Sequence, residues 1–506
     1  MKRIQLLPLA LPLMMLIMLA SCQKDEKTLN VRNGVINGPQ KKDRGFIIIA
    51  EEGAKLKGIS ESLANLEAKK LKITEVIEEL GLIHVQTPDP SFPEKARKLP
   101  GVESVAVDVV MNWRLPSQHF RSDISYNSNA AAAPNVIAKS SAPAATVTAD
   151  PLSYLQWGLN SVKAQQAWAK GYSGKGVKVA VLDGGFLLSN PEIAPNILLS
   201  HSFIDGEEAQ YHGLEGFSHG SHVAGTIAAA SNARGVVGVA PDVKLLLIKV
   251  ISDAGSGPWS SLIDGIFYAV NHGAKVINMS LGGELPRKTY TDDNGTPDDP
   301  SDDYVVEYDR DVKDLVKALN RATLFATLRG TTLIAAAGND AYNYDVEKRF
   351  ITYPAACLGV LSIASNGPVG WGINQDTTLY VPSIFTNYGK SFISYGAPGG
   401  NYTLPPNTTI VTVGTVTNYD YVFGMVFNIG FWDEPSNTYY YGWAAGTSMA
   451  APHASAVAAL LYGKYSWMNP VLLDIIFKAS SNDYGAPGKD AYFGFGQLNA
   501  GKAVSL

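Results

Sequence analysis

Val177-Lys178-Val179-Ala180-Val181-Leu182-Asp183-Gly184-Gly185 runs apolar for most of its length and then ends on an acid and two glycines. A strand that is apolar on both faces suits a parallel sheet covered by helices on either side, and it delivers its last side chain to the sheet's carboxyl edge. Three more stretches share the pattern: Val243 to Val250, Lys275 to Met279 and Thr332 to Ala337. Between them lie helical stretches such as Trp259 to Val270, where Leu262, Ile263, Ile266, Phe267 and Val270 mark one face. This alternation predicts an α/β domain on a mostly parallel sheet over residues 151–506.

Upstream, residues 44–114 carry a different texture. Phe46 to Ala50 reads as a buried strand, and Leu56, Ile59, Leu63 and Leu66 recur at helical spacing. Strands over Ile73–Glu78 and Leu82–Gln86, a helix over Phe92–Leu99 and a strand over Val102–Val110 complete a β-α-β-β-α-β order, a small α+β unit of ferredoxin-like type. Residues 115–150 lose that periodicity, fill with Ala, Ser, Asn and Pro, and read as an exposed linker.

The start of the chain bears on compartment. Lys2 and Arg3 precede an apolar run from Leu6 to Ala20, the plan of an export signal and too short for a convincing spanning helix. It ends in Leu19-Ala20-Ser21-Cys22, which resembles a bacterial lipoprotein cleavage box. That resemblance implies a lipoprotein signal peptide over residues 1–22 with lipid on Cys22. Several acyl chains, at about 0.8 kcal/mol per buried methylene, would hold the chain firmly at a membrane. Residues 23–43 read as a tether, and Gln23-Lys24-Asp25-Glu26-Lys27 is similar to signals for the outer face of the outer membrane. The expected location is therefore an exported outer-membrane lipoprotein, at the cell surface if that signal acts. With Cys22 lipidated, Cys357 has no partner for an intramolecular disulfide. In 506 residues, 46% hydrophobic and 17% charged, a sizeable core can be buried, and a formal net charge of −5 gives no reason to expect nucleic acid as a partner.

Three segments carry residue types suited to acyl transfer, in the order acid, imidazole, alcohol. Asp183 ends its strand; His219 opens His219-Gly220-Ser221-His222-Val223-Ala224-Gly225-Thr226; Ser448 sits in Gly446-Thr447-Ser448-Met449-Ala450-Ala451-Pro452-His453, which opens a helix. Singly, each has a plainer reading: a turn acid, a solvated histidine, an N-cap serine. Together, in that order and on those elements, they resemble the subtilisin-like serine proteases, or subtilases. The resemblance covers about residues 151–503 and includes Gly255-Ser256-Gly257, Asn278-Met279-Ser280-Leu281-Gly282-Gly283, Ala336-Ala337-Gly338-Asn339 and Gly494-Phe495-Gly496.

The resemblance implies a serine endopeptidase acting through an acyl-enzyme on Ser448, with His219 as base, Asp183 orienting it and Asn339 as oxyanion donor. Gly255, Ser256 and Gly257 would form one wall of a peptide groove, and Ser280, Leu281, Gly282 and Gly283 the other. No cofactor is required for the chemistry. A structural calcium is implied at Asp150, Glu192 and Asn232. Protein or peptide substrates are the expected partners. The unit at 44–114 is similar to the inhibitor-like pro-segment of the family, which makes it a further partner, places a processing site in 115–150 and makes the chain a zymogen whose cut releases the peptidase from its lipid unless the pro-segment stays bound. Departures from the family pattern are Gly184, where a hydroxyl residue usually contacts the acid, and Ser221 in place of threonine. Two insertions, at about 284–310 and 401–441, adjoin the expected site, and Thr352 falls where many relatives have glycine, which suggests a shallow pocket. The alternative functions are a non-catalytic binding protein on this scaffold and a peptide-transferring enzyme.

Overall fold

Strand Lys178–Asp183 lies inside the main sheet, between Val276–Met279 and Lys244–Lys249, in the computed structural model, which describes residues 44–66, 70–113, 118–127, 150–213, 216–293, 300–301, 303–402 and 409–506. The sheet runs Val381–Pro382, Val360–Gly367, Thr332–Ala336, Val276–Met279, Lys178–Asp183, Lys244–Lys249, Ile197–Ser202, with Tyr395–Pro398 also paired to Val360–Gly367. All these pairings are parallel except the one with Val381–Pro382. Alternate residues enter opposite cores, as a two-sided sheet requires. Val179 and Val181 bury on the side of helices His219–Ala228 and Thr447–Lys464, while Ala180 and Leu182 bury on the side of Trp259–Asn271 and Arg310–Leu328. Each fully buried Val, Leu or Ile contributes roughly 1.5–3 kcal/mol, so this layer dominates stability.

Beyond Lys244–Lys249 the chain crosses Lys178–Asp183 to form Val276–Met279 on its other side. Connections thus leave Lys178–Asp183 in opposite directions and open a crevice at its carboxyl end, where Asp183 sits.

The N-terminal unit is a four-stranded antiparallel sheet in the order Lys72–Ile77, Leu82–Thr87, Arg44–Ala50, Val102–Asp108, with helices Leu56–Ala64 and Phe92–Ala96, the ferredoxin-like arrangement expected. One face buries Phe46, Ile48, Ile59, Leu63 and Phe92 in a core of its own. The other, with Ile47, Ile49, Leu82 and Ala106, joins the core under helices Trp259–Asn271 and Arg310–Leu328. Arg321 on the latter helix donates to the Ala50 carbonyl at 2.9 Å and pairs with Glu103 at 2.7 Å.

Two expectations need correction. The strand expected to run to Val110 ends at Asp108, and Val110–Asn112 forms a separate strand paired antiparallel with Ser256–Pro258. Part of the expected linker is structured: Gln118–Asn127 pairs with Thr438–Ala445, which also pairs with Val426–Asp433. Its physical basis is a period of two, for Phe120, Ser122, Ile124 and Tyr126 turn toward the core while Arg121 and Asp123 face outward. The insertion at 401–441 supplies the receiving strands. The insertion at 284–310 forms a strand at Gly283–Pro286, paired with Phe350–Tyr353, and a hairpin of Tyr290–Asp292 with Tyr304–Val306. Cys357 is buried and free; Cys22, the signal peptide and the tether lie outside the described residues.

Candidate active site

Strand Lys178–Asp183 places Asp183 at the crevice, fully buried. His219 is the first residue of helix His219–Ala228, whose N-cap Ser218 accepts from Ser221 N–H. His219 Nδ1 lies 2.8 Å from Asp183 Oδ1, which also accepts the Gly184 N–H at 2.7 Å. A carboxylate can only accept, so Nδ1 carries a proton, and in the neutral ring the lone pair is then on Nε2. Nε2 is buried and has no hydrogen-bond partner among the described residues.

Ser448 is the second residue of helix Thr447–Lys464, which packs against the histidine helix. Its hydroxyl donates to the Ser280 carbonyl at 3.0 Å, and the Ser280 hydroxyl donates to the Ser448 carbonyl at 2.7 Å. In this conformation the serine is therefore bonded to Ser280.

Asn339 follows strand Thr332–Ala336 through Gly338, whose φ of +104° suits a residue without a side chain. Thr447 donates to Asn339 Oδ1 from its N–H at 2.8 Å and from its hydroxyl at 2.9 Å. With two donors on the oxygen, the orientation of the amide is fixed and its NH2 is left to donate. Asn339 and Ser448 line one cavity with Leu281, Gly282, Gly283, Glu284, Gly338, Asp340, Thr352 and Asn112. The Ser448 N–H is among those a helix leaves without an internal partner, so two donors face the same space.

The two segments expected to wall a peptide groove differ in what they do. Gly257 pairs with Met111, Ser256 with Asn112, and Trp113 N–H donates to Gly255 O at 2.9 Å. Across the groove, Leu281, Gly282 and Gly283 line the cavity, and any side chain at Gly283 would strike the Met111 methyl. The chain's own Val110–Asn112 thus lies as an added strand leading to the Ser448 cavity. Beyond it, Gln118 pairs with Ala445, three residues before Ser448.

The neighbouring histidines do other work. His222 Nε2 bonds to Val426 O at 3.1 Å, and burial pulls its pKa down to about 3. His453 Nδ1 bonds to Met449 O at 2.8 Å, and burial lowers its pKa to about 4. Both stay neutral and hold backbone. Ser221 Oγ accepts the Leu187 N–H at 2.7 Å, a purely architectural bond.

Gly184 leaves a mark. Asp183 Oδ2 is buried and without a partner among the described residues, and a Cβ at Gly184 would meet nothing nearer than Ile251 at 3.7 Å. Gly184→Ser should therefore place a hydroxyl on the acid, worth about 1 kcal/mol. The expected result is a kcat/KM raised several-fold on a peptide substrate with KM unchanged; a fall would show that the space is not there.

Asp150, Glu192 and Asn232 converge in a set of hydrogen bonds. Asp150 accepts from Asn232 N–H, Ala233 N–H and the Ser231 hydroxyl at 2.8–3.0 Å. Glu192 Oε1 accepts the Tyr441 hydroxyl at 2.5 Å, Asn232 Oδ1 accepts Arg234 N–H at 3.0 Å, and the Arg234 charge acts on Glu192. Of these carboxylate oxygens only Glu192 Oε2 lacks a partner among the described residues. A hard cation needs six to eight oxygens, and among the described residues no group of three or more His, Cys, Asp or Glu side chains is placed to hold one. Burial, with Asp150 nearby, instead raises the Glu192 pKa from 4.5 to about 7. The folded state then holds this proton more tightly than the unfolded one, so stability is full below pH 4.5 and falls as pH rises to 7, by roughly 3 kcal/mol. Glu192→Gln is expected to melt higher than the parent at pH 8 and alongside it at pH 4. Calcium raising the parent's Tm, but not the variant's, would contradict this.

Sequence reasoning missed Thr447, which clamps Asn339, and Glu284, which follows the glycine wall directly and lines the cavity.

The comparisons with known proteins agree with this geometry. The model of the subtilase family matches residues 174–496. Subtilisin DY of Bacillus licheniformis is 30% identical over 349 residues, covering 69% of this chain and 98% of that protein. The major intracellular serine protease of Bacillus subtilis is 33% identical over 306 residues, covering 60% and 74%. Among solved structures, a protease from Pseudoalteromonas arctica superposes with a TM-score of 0.52 at 28% identity, over 71% of this chain and 99% of that one. The epidermin leader peptide processing serine protease of Staphylococcus aureus gives a TM-score of 0.65 over 92% and 98%, at 17% identity, a likeness of fold.

Proposed function

Because the chain belongs to the subtilase family and is a serine-type endopeptidase, we propose that Asp183, His219 and Ser448 are its catalytic triad and that Asn339 shares the oxyanion with the Ser448 N–H. In this reading His219 Nε2 takes the Ser448 proton as Oγ bonds to the substrate's carbonyl carbon and the C=O electron pair moves to oxygen, the ester forming when this adduct collapses. The negative oxygen is held by the Asn339 amide and the Ser448 N–H while the C–N bond breaks, and the imidazolium returns the proton to the leaving amine. Water, deprotonated by the same nitrogen, then hydrolyses the ester. Subtilases need no cofactor for these steps. The observation that supports the reading is the bond from His219 Nδ1 to buried Asp183, with Ser448 and Asn339 lining one cavity. Incubation with an unfolded protein, followed by mass spectrometry, should give hydrolysed peptides; joined peptides would favour transfer.

The zymogen reading is supported by the same strand. Residues 44–113 cover helices of the peptidase and send Val110–Asn112 into its groove, as a pro-domain would. N-terminal sequencing of the purified protein should find a new terminus beyond Trp113; a terminus upstream of residue 44 in the active enzyme would contradict it. Export and lipid attachment at Cys22, with the outer membrane as destination, rest on residues 1–27 alone. Partition into detergent that is unchanged by Cys22→Ser would remove that part.

A further inference from the structure

Gln118–Asn127 begins beside two of the reacting groups. Gln118 pairs with Ala445, three residues before Ser448, and the His119 ring stacks at 4.5 Å on Phe217, two residues before His219. Upstream, Val110–Asn112 pairs with Ser256–Pro258, and Asn112 lines the cavity that holds Ser448. The chain therefore reaches the nucleophile along Ser256–Pro258 and resumes, past it, along Thr438–Ala445. A peptide following the same course puts the residues after its cut on the edge that Gln118–Asn127 now occupies.

That edge is furnished for an extended chain. Gln118–Asn127 is the outer strand of three, beyond Val426–Asp433 and Thr438–Ala445, so its departure breaks no other described pairing. It would leave a row of backbone donors and acceptors on Thr438–Ala445. Side-chain sockets accompany the row. Phe120 lies edge-on to Tyr421 at 5.8 Å, the Ser122 hydroxyl donates to Tyr441 O at 2.7 Å, and Tyr126 stacks on Tyr441 at 4.5 Å. Tyr421 and Tyr441 both belong to the insertion at 401–441. The start of the peptidase is fixed apart from the strand, since Asp150 is held by Ser231, Asn232 and Ala233. A cut between Trp113 and Gln118 thus leaves the strand joined to the peptidase, and only a cut beyond Asn127 separates them.

We propose that Gln118–Asn127 is an inhibitory strand in the place of the substrate's residues after the cut, and that the edge of Thr438–Ala445 beneath it docks an extended peptide once a cut beyond Asn127 has let the strand go. The inference rests on the peptidase reading and adds a second surface to it. Its partner is a peptide in β conformation with apolar or aromatic side chains at the places of Phe120 and Tyr126. Main-chain pairing gives such an edge its affinity, and the sockets give it preference. While tethered, the strand competes at a high effective concentration and outlasts a first cut; once released it is diluted away.

The test uses two forms of the full chain, each with an inserted site for a specific protease: one directly before Gln118, the other directly after Asn127. Both are cut and freed of their N-terminal piece. Two fluorogenic peptides share the residues before the scissile bond; one ends there in a dye, and the other continues for the length of Gln118–Asn127 to a quencher. The form without the strand is expected to show a long-to-short ratio of kcat/KM at least tenfold above that of the form retaining it. Phe120→Ala with Tyr126→Ala should raise the ratio of the retaining form toward the same value, a change that partial unfolding, which lowers both rates alike, does not produce. Equal ratios in the two forms overturn the proposal and leave the peptidase reading intact. So does loss of both activities only where the strand is removed, which marks it as structural. Cleavage of neither peptide by either form overturns the peptidase reading and this inference with it.

Discussion

Ser448→Ala is expected to abolish peptide hydrolysis and to leave the precursor uncut. The hydroxyl makes one described bond, to Ser280 O, so its loss removes about 1 kcal/mol and leaves the fold in place. Alanine also suits a helix that already runs Met449-Ala450-Ala451. The chemistry has no such reserve, since the neighbouring Thr447 hydroxyl is spent holding Asn339 Oδ1 and the Ser280 hydroxyl on the Ser448 carbonyl. Loss of the nucleophile lowers kcat about 2 × 10⁶-fold in subtilisin, a figure carried over from that relative. Assays of kcat, melting temperature and precursor size together check the expectation: activity gone, Tm within a few degrees, precursor intact. Cleavage retained at even a tenth of the parent rate would contradict it.

Asp183→Asn should lower kcat by about 10⁴. Asp183 Oδ1 receives both the His219 Nδ1–H and the Gly184 N–H. An asparagine that keeps its oxygen there preserves both bonds but removes the charge that stabilises the imidazolium. Turned the other way, it offers NH2 to Nδ1 and forces the proton onto Nε2, where the base is needed. Either outcome reduces the rate, and because Asp183 is fully buried away from the groove, KM should move little. A variant in which KM rises and kcat holds would mean that Asp183 acts on binding instead.

Much of this site is legible in the chain because its parts sit on elements with strong local signals. Val177 to Leu182 is apolar at every position but Lys178, so the strand and the acid at its end could be placed without the structure. The small residues after His219 and Ser448 likewise announce helices packed closely together. Gln118–Asn127 escaped notice for two reasons. Its alternation is blurred by Ser122 on the buried face, and its partner Thr438–Ala445 comes more than 300 residues later, so the stabilising pairing is invisible locally. Glu284 is a related case. An acid after a glycine run reads as the start of a solvated loop, and only the pairing of Gly283–Pro286 with Phe350–Tyr353 turns it into the wall of a pocket. At the residues expected to hold calcium, the Asp150 carboxylate, Glu192 Oε1 and Asn232 Oδ1 are met by hydrogens from residues 231–234 and from Tyr441, a residue of the insertion, and no local signal in the chain announces those donors.

The account turns on one reactive alcohol, activated by a buried imidazole. Treatment of the processed protein with a fluorophosphonate, followed by digestion and mass spectrometry, should find a single adduct, on the peptide containing Ser448, absent after His219→Ala. A folded, processed protein that takes up no probe, or takes it up at a serine elsewhere, would contradict the account and leave a peptide-binding scaffold in its place.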